Sequence, residues 1–195
     1  ISILENDQPL KKHDHFDLII DDNRIIRFND PRRFGSFIWA GKRPEKHKLL
    51  SKLGPEPLEN EFLGSHLYDL SKNRKTSIKA FIMNAQVVVG VGNIYASEVL
   101  FTSGIHPKRK ANRISKDRYM QLASVIQETL KRAIAKGGTT LRDFSYSHGG
   151  KKIGYFQQEL FTYGREGSKC KNCSKPIKQI MLSGRSSFYC SGCQH

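Results

Sequence analysis

The chain has 195 residues, with 33 Lys or Arg against 18 Asp or Glu and a formal net charge of +15. Hydrophobic residues make up 37% and aromatics 10%, enough for one large or two small cores and too much, in patterned runs, for a disordered polycation. No run approaches the ~20 apolar residues of a membrane helix, and no basic start followed by an apolar block marks a secretory signal, so a soluble chain is expected. Folded chains this basic point to a polyanionic partner, nucleic acid first, with a merely soluble basic surface as the alternative.

The chain opens Ile1-Ser2-Ile3-Leu4 without Met, and residues 1–40 read as the middle of a sheet, which suggests a piece of a longer polypeptide. Residues 16–20 and 24–28 are apolar runs flanking Asp21-Asp22-Asn23, the pattern of a β-hairpin, and 34–40 reads as a third strand after the Pro31 break. Three strands alone do not close a domain, so they look like the remnant of a larger β-domain. From about residue 45 the period becomes helical: Leu58, Phe62, Leu63, Leu67 and Leu70 after Pro55 and Pro57, then a short helix over 78–83 stopped by Asn84. Another helix is expected from Asn93 to Thr102, closed by Gly104 and Pro107. The clearest spans 115–136, with Ser115 as N-cap, Tyr119, Leu122, Val125, Ile126, Leu130 and Ile134 on one face, and Gly137-Gly138 as the stop. Residues 145–154 read as a mobile loop, and the last 30 as a compact cysteine module. The sequence therefore reads as α+β: a β remnant, a helical middle and a small metal-bound end.

The four cysteines form two CxxC pairs, Cys170/Cys173 and Cys190/Cys193, separated by 16 residues. Four thiolates on two knuckles suit one tetrahedral Zn²⁺ with no open position, a structural and not a catalytic ion. A pair of disulfides is the alternative, suited to a secreted chain. Between the pairs, 177–182 and 186–189 are expected to form a hairpin about Ser183-Gly184, with Arg185 at its tip, placed to clamp a phosphate; a solvated turn residue is the bland reading. From 165 to 195 there are six Lys or Arg and one acid.

Two further strings carry chemistry. Gly90-Val91-Gly92-Asn93 runs from an apolar stretch into a helix, and Asn93 is placed to cap a helix N-terminus that favours an anion; a plain N-cap is the alternative. It is not a dinucleotide fingerprint, since Tyr95 stands where the third Gly belongs. Asp30-Pro31-Arg32-Arg33-Phe34-Gly35 places guanidinium groups and an aromatic on a loop, the equipment for filling a gap in a base stack; a core Phe34 with solvated arginines is the alternative. His13, Asp14 and His15 suggest a metal site, though such a loop set is more often structural.

Together these strings closely resemble the bacterial formamidopyrimidine-DNA glycosylases (MutM/Fpg), relatives of endonuclease VIII. The matching stretches are 12–17, 30–35, 53–58, 89–98, 104–107, 137–144, 154–160, 163–167 and the cysteine ribbon, in family order over nearly the whole chain. The 30–35 string and Gly154-Tyr155-Phe156 look more like the oxidised-purine branch. The resemblance implies a β-sandwich remnant over 1–44, a helix–two-turn–helix domain over 45–144, and a lesion-recognition loop with a zinc ribbon over 145–195. It implies base-excision repair of damaged double-stranded DNA by a monomer in the bacterial cytoplasm, associated with the nucleoid. The implied activity is removal of 8-oxoguanine and formamidopyrimidines, followed by β,δ-elimination at the abasic site.

By that match Arg32 fills the space of the everted base and Phe34 wedges beside the orphan cytosine. Asn93, Tyr163 and Arg185 hold flanking phosphates, and the loop with Ser147, Lys151, Lys152 and Tyr155 closes over the damaged base. The departure is chemical. The family nucleophile is an N-terminal proline amine beside a glutamate, and this chain begins Ile1-Ser2. The family's lysine and methionine ahead of that point are also absent from the sequence. No substitute stands out: Asp21-Asp22 reads as a turn pair, and Glu56, Glu59 and Glu61 as surface charges. The 195 residues alone are expected not to be catalytic. A non-enzymatic zinc-ribbon nucleic-acid-binding module is the competing reading.

Overall fold

A computed structural model describes residues 1–59, 62–136, 147–148, 151–152 and 160–195. The expected hairpin is present. Strands β2 (Asp14–Ile19) and β3 (Arg24–Asn29) pair antiparallel with Phe16 opposite Phe28 and Ile19 opposite Ile25. Their turn is held by Asp21, whose Oδ1 accepts from the Asn23 and Arg24 amides at 3.1 and 2.8 Å, the local bond that makes Asp a turn residue.

The third strand is not 34–40, as the apolar pattern suggests, but β1 (Ser2–Glu5), which takes the other edge of β3 and gives the order β1-β3-β2. Both edges of β3 are occupied, and 34–40 pairs with neither outer strand. It runs as irregular chain with Phe37 against the Phe16 ring (4.6 Å between centroids) and Trp39 93% exposed. Arg27 sits buried beneath the sheet, bonded to both Asp17 carboxylate oxygens at 2.8 Å and to the Pro9 and Gln8 carbonyls. That hydrogen bond, with the positive charge behind it, holds the Asp17 carboxyl below its usual range.

The helical body contains α1 (Gly64–Ser71), α2 (Ile78–Ile82), α3 (Asn93–Thr102) and α4 (Lys116–Ala135). Helix α1 starts later than the leucine spacing suggests. Residues 54 and 55 are tied to the turn after α2 through Gly54 N to Ala85 O (2.8 Å) and Val89 N to Pro55 O (3.3 Å), and 56–59 close a turn through Glu59 N to Glu56 O (3.1 Å), so no helix forms there. Ser77 caps α2, its hydroxyl accepting from the Ala80 amide. Ser115 does stand at the N-cap of α4 but makes no side-chain cap bond. The proposed Gly137-Gly138 stop lies outside the described residues.

One cluster forms the main core: Leu67 of α1, Ile78, Phe81 and Ile82 of α2, Ala96, Val99 and Leu100 of α3, and Tyr119, Leu122 and Ile126 of α4. Val87, Val88 and Val91 anchor the α2–α3 turn in the same cluster. Burying each such side chain stabilises by roughly 1.5–3 kcal/mol, which fixes this turn rather than leaving it a tether.

Short strands β4 (Ser147–His148) and β5 (Lys151–Lys152) pair antiparallel; Tyr155 lies outside the described residues. The ribbon is β6 (Ile177–Leu182) against β7 (Arg185–Cys190). Its turn residues Ser183 and Gly184 both have positive φ (49° and 73°), as a two-residue type I′ hairpin requires. The ribbon is latched to the end of α3: Gly104 and His195, and His195 and His106, exchange backbone bonds of 3.0 and 3.1 Å, and the Gln194 side chain spans Cys190 N and Ile105 O at 2.8 Å each.

Candidate nucleic-acid interface

The loop 30–35 folds around one carboxylate. Asp30 accepts from the Gly35 amide at 2.6 Å and the Arg32 amide at 3.2 Å, while its carbonyl accepts from Arg33 at 3.3 Å. Those amides, Gly35 first, hold the Asp30 carboxyl below its usual range. Arg33 is in the left-handed region (φ 56°). A Cβ on Gly35 would lie 2.8 Å from the Phe28 ring and 2.9 Å from Asp30 Oδ2, so a side chain here would have to push one of them aside. The loop presents Phe34 84% exposed, with the Arg32 guanidinium 5.8 Å from its ring centroid. Phe34 is therefore not a core anchor. A rigid loop holding an aromatic ring in solvent is what stacking on an unpaired base needs.

The second element is the start of α3. Gly92, not Asn93, is the N-cap; Asn93 is the first helical residue. Gly90 takes φ 79° in the turn before it. Freed from capping, the Asn93 amide meets Tyr163, Nδ2 to hydroxyl at 3.3 Å. Asn93 Oδ1 is buried with no hydrogen-bond partner among the described residues. A carboxamide can be turned end for end, and a phenol both donates and accepts. In the flipped orientation Oδ1 accepts from Tyr163 and Nδ2 becomes a free donor beside the helix N-terminus, where an anion is favoured.

Tyr163 reaches Asn93 because Glu98, one turn further along α3, holds its backbone. Glu98 is 4% exposed. Its Oε1 accepts from Thr162 N (2.9 Å), Thr162 Oγ1 (3.0 Å) and Tyr163 N (2.8 Å), and its Oε2 from Phe161 N (2.7 Å). A buried carboxylate is tolerated only with such a set of donors. Sequence reading missed Glu98 as a functional residue; its partners lie more than 60 positions away, and no local pattern marks it. The Tyr163 ring packs edge-on to Phe188 of β7 at 4.9 Å, so the same residue touches helix and ribbon.

The third element is the ribbon. The four Sγ atoms lie within 4.8 Å of one another, the only such ligand group among the described residues, and none is in a disulfide. Two Sγ pairs stand at 3.8 and 3.3 Å. A tetrahedral ion with metal–sulfur bonds of about 2.3 Å places its sulfurs about 3.8 Å apart, so the donor set fits one closed, four-coordinate ion.

Arg185 is exposed at the first position of β7. Next to it, Lys79 of α2 is buried and donates to Ser186 O at 3.0 Å and Ser187 Oγ at 2.8 Å. Burial, and then the Arg185 charge, push the Lys79 ammonium down to about 8. The lysine bolts the ribbon tip to the helical body.

His13, Asp14 and His15 form no ligand group. Asp14 caps the Lys11 amide and takes Asn29, and His15 Nε2 bonds Asp30 O. No described helix is long and apolar enough to cross a membrane.

Known proteins match this arrangement. The family model described as the formamidopyrimidine-DNA glycosylase H2TH domain matches residues 53–145. The formamidopyrimidine-DNA glycosylase of Marinobacter nauticus is 52% identical over 194 residues, covering 100% of this chain and 71% of that protein, and that of Syntrophotalea carbinolica is 50% identical with the same coverage. Among solved structures, the Lactococcus lactis Fpg in complex with an abasic-site DNA superposes with a TM-score of 0.87 at 33% identity, over 99% of this chain and 70% of that one. The Thermus thermophilus MutM (Fpg) gives 0.85 at 33%, over 100% and 73%. With half its residues shared along its whole length, and with the 30–35 loop, helix start and cysteine ribbon in place, the chain belongs to the formamidopyrimidine-DNA glycosylase family.

Proposed function

We propose that these residues form the DNA-gripping part of a base-excision repair glycosylase that removes oxidised purines, 8-oxoguanine and formamidopyrimidines, and nicks the abasic strand. The observation that carries this reading is the junction of Asn93 with Tyr163, pinned by Glu98 and tied through Phe188 to the ribbon that bears Arg185. It brings Asn93 and Tyr163 together at one helix start and ties them to the strand that carries Arg185, all three groups able to hold phosphates. Arg32 fills the vacated stack and Phe34 wedges beside the orphan base. The ion held by Cys170, Cys173, Cys190 and Cys193 is Zn²⁺, and its chemistry is structural, since four thiolates leave no open position.

Assignment of Ser147, Lys151, Lys152 and Tyr155 to the loop over the damaged base rests on the sequence match, as do the divisions at 44/45 and 144/145. So do a cytoplasmic, nucleoid-associated location and a monomeric state. Oxidised-purine substrates are supported by a Lactococcus lactis Fpg point mutant solved with a Fapy-dG containing DNA, to which this chain is 32% identical. The test is the affinity for a duplex with a central tetrahydrofuran abasic site against the intact duplex at physiological salt. Tighter binding of the abasic duplex is expected; equal affinities would mean a passive nucleic-acid-binding module.

A further inference from the structure

A second charged surface is built from residues outside the set assigned to the lesion. Two stretches meet where α2 begins. Ile78 N donates to Arg109 O at 2.7 Å, Ala111 N to Thr76 O at 2.9 Å and Asn112 N to Arg74 O at 3.1 Å, and Ser77 bridges Lys110. That pairing places Arg74 and Lys75 beside Lys108, Arg109, Lys110 and Arg113, with Arg118 adjoining from α4. Lys75, Lys108, Lys110, Arg74 and Arg113 are exposed. None of the seven has an ion-pair partner among the described residues. Of the acids nearest in sequence, Asp69 is engaged with Lys72 at 2.7 Å and Asp117 sits in the first turn of α4.

The crowding is felt within the protein. Burial, and then Arg109, lower the Arg118 guanidinium; burial, and then Lys108, lower His106. A solvated surface usually intersperses both signs, because like charges repel; a single-sign patch is a field for an opposite polyion.

The patch is also joined to the ribbon. The His106 ring meets Tyr189 of β7 edge-on at 4.5 Å, and α2, about 7.5 Å long for five residues, carries the patch at its start and Lys79, bonded beside Arg185, on its side. We propose that this surface is a second phosphate-binding face, which takes the backbone of duplex DNA beyond the nucleotides that flank the lesion. The inference rests on the DNA-binding reading above. It assigns sequence-independent contacts, since the patch offers ammonium and guanidinium groups and no aromatic for stacking.

The experiment compares K75Q/K108Q/K110Q with the unaltered chain on two tetrahydrofuran-containing hairpin duplexes, of about 10 and about 24 base pairs, the longer reaching well past the grip at 3.4 Å per base pair. These three lysines make no side-chain bond in the described structure, and an unchanged melting temperature confirms folding. On the long duplex the variant should bind roughly tenfold or more weakly near 50 mM salt, with the salt slope shallower by about 2–3; on the short one the two proteins should agree. Equal loss on both lengths, or none on the long one, overturns the proposal. Loss of poly-glutamate binding with long-duplex affinity intact also overturns it, and assigns the patch to an acidic protein. If the unaltered chain does not prefer abasic to intact duplex, it is the underlying functional reading that fails.

Discussion

Glu98 and Thr162, 64 positions apart, are joined twice through one carboxylate oxygen, to the Thr162 amide at 2.9 Å and to its hydroxyl at 3.0 Å. The bond set carries no reacting atom, yet it decides where Tyr163 stands. Glu98→Gln turns one acceptor into a donor facing amides. Each buried group left unpaired costs about 1–3 kcal/mol, so urea unfolding should show a loss of at least about 2 kcal/mol. If Glu98 acts through Tyr163, the losses of abasic-DNA affinity in E98Q and Y163F should not add. Additive losses would reduce Glu98 to a fold-stabilising residue.

Phe34→Ala should separate stability from recognition. The ring is almost wholly solvent-exposed, so unfolding should change by less than about 0.5 kcal/mol. The preference for abasic over intact duplex should shrink severalfold, because stacking on a base contributes roughly 1–3 kcal/mol. A preference that survives intact would remove Phe34 from the wedge.

Gly35→Ala tests the same loop from its frame. The added methyl would meet the Phe28 ring and the Asp30 carboxylate inside 3.0 Å. Overpacking of this kind costs about 1–3 kcal/mol. Backbone chemical shifts of residues 30–35 should move while those of α3 stay in place. Unmoved loop shifts would show that the site accepts a side chain.

The expected elements that survived are those whose signals are local. The Asp21 turn, α3 from Asn93 to Thr102, and the ribbon hairpin about Ser183-Gly184 each follow from spacing and turn chemistry. The failures share a different cause. Residues 34–40 look like a strand, but the place beside β3 is held by β1, and the 30–35 loop folded around Asp30 carries the chain off the sheet as irregular structure. Leu58 and Phe62 fall on a helical period, but bonds from Gly54 and Pro55 to the α2–α3 turn and a local turn from Glu56 to Glu59 occupy that backbone, and Phe62 is buried in the core without being helical. Asn93 reads as a cap and is instead a partner for Tyr163. At the candidate site, residue types were legible and their long-range partners were not.

Lys79 gives a pH signature. Its folded value, about 8, lies below the ordinary 10.5. Below pH 8 both states hold the proton, and the folded state bears the full penalty of a buried ammonium. Between about 8 and 10.5 the unfolded chain binds more protons, so stability rises with pH in that window. The difference in unfolding free energy between the unaltered chain and Lys79→Met should therefore grow in favour of the unaltered chain across it. A flat difference would show that the amine is not desolvated.

Chelation should dismantle the ribbon first. Four thiolates gathered without disulfides repel unless an ion joins them, and binding energy in such sites is folding energy. With a strong chelator, amide protection should vanish over 165–195 and persist over α1, α2 and α4. A ribbon still protected without metal would overturn the structural role.

Helix α3 begins at Asn93 and ends latched to the ribbon through Gly104, Ile105 and His106. Its ten residues thus act as a caliper of fixed opening, about 15 Å from jaw to jaw. A rigid gauge does not adapt to its workpiece, so under the proposed function any adjustment falls to the double helix. Undamaged DNA is stiff and resists, whereas a strand with a lost or loosened base yields at less elastic cost. Under the proposed function, discrimination would begin as mechanical compliance, felt before any atom of the altered base is touched.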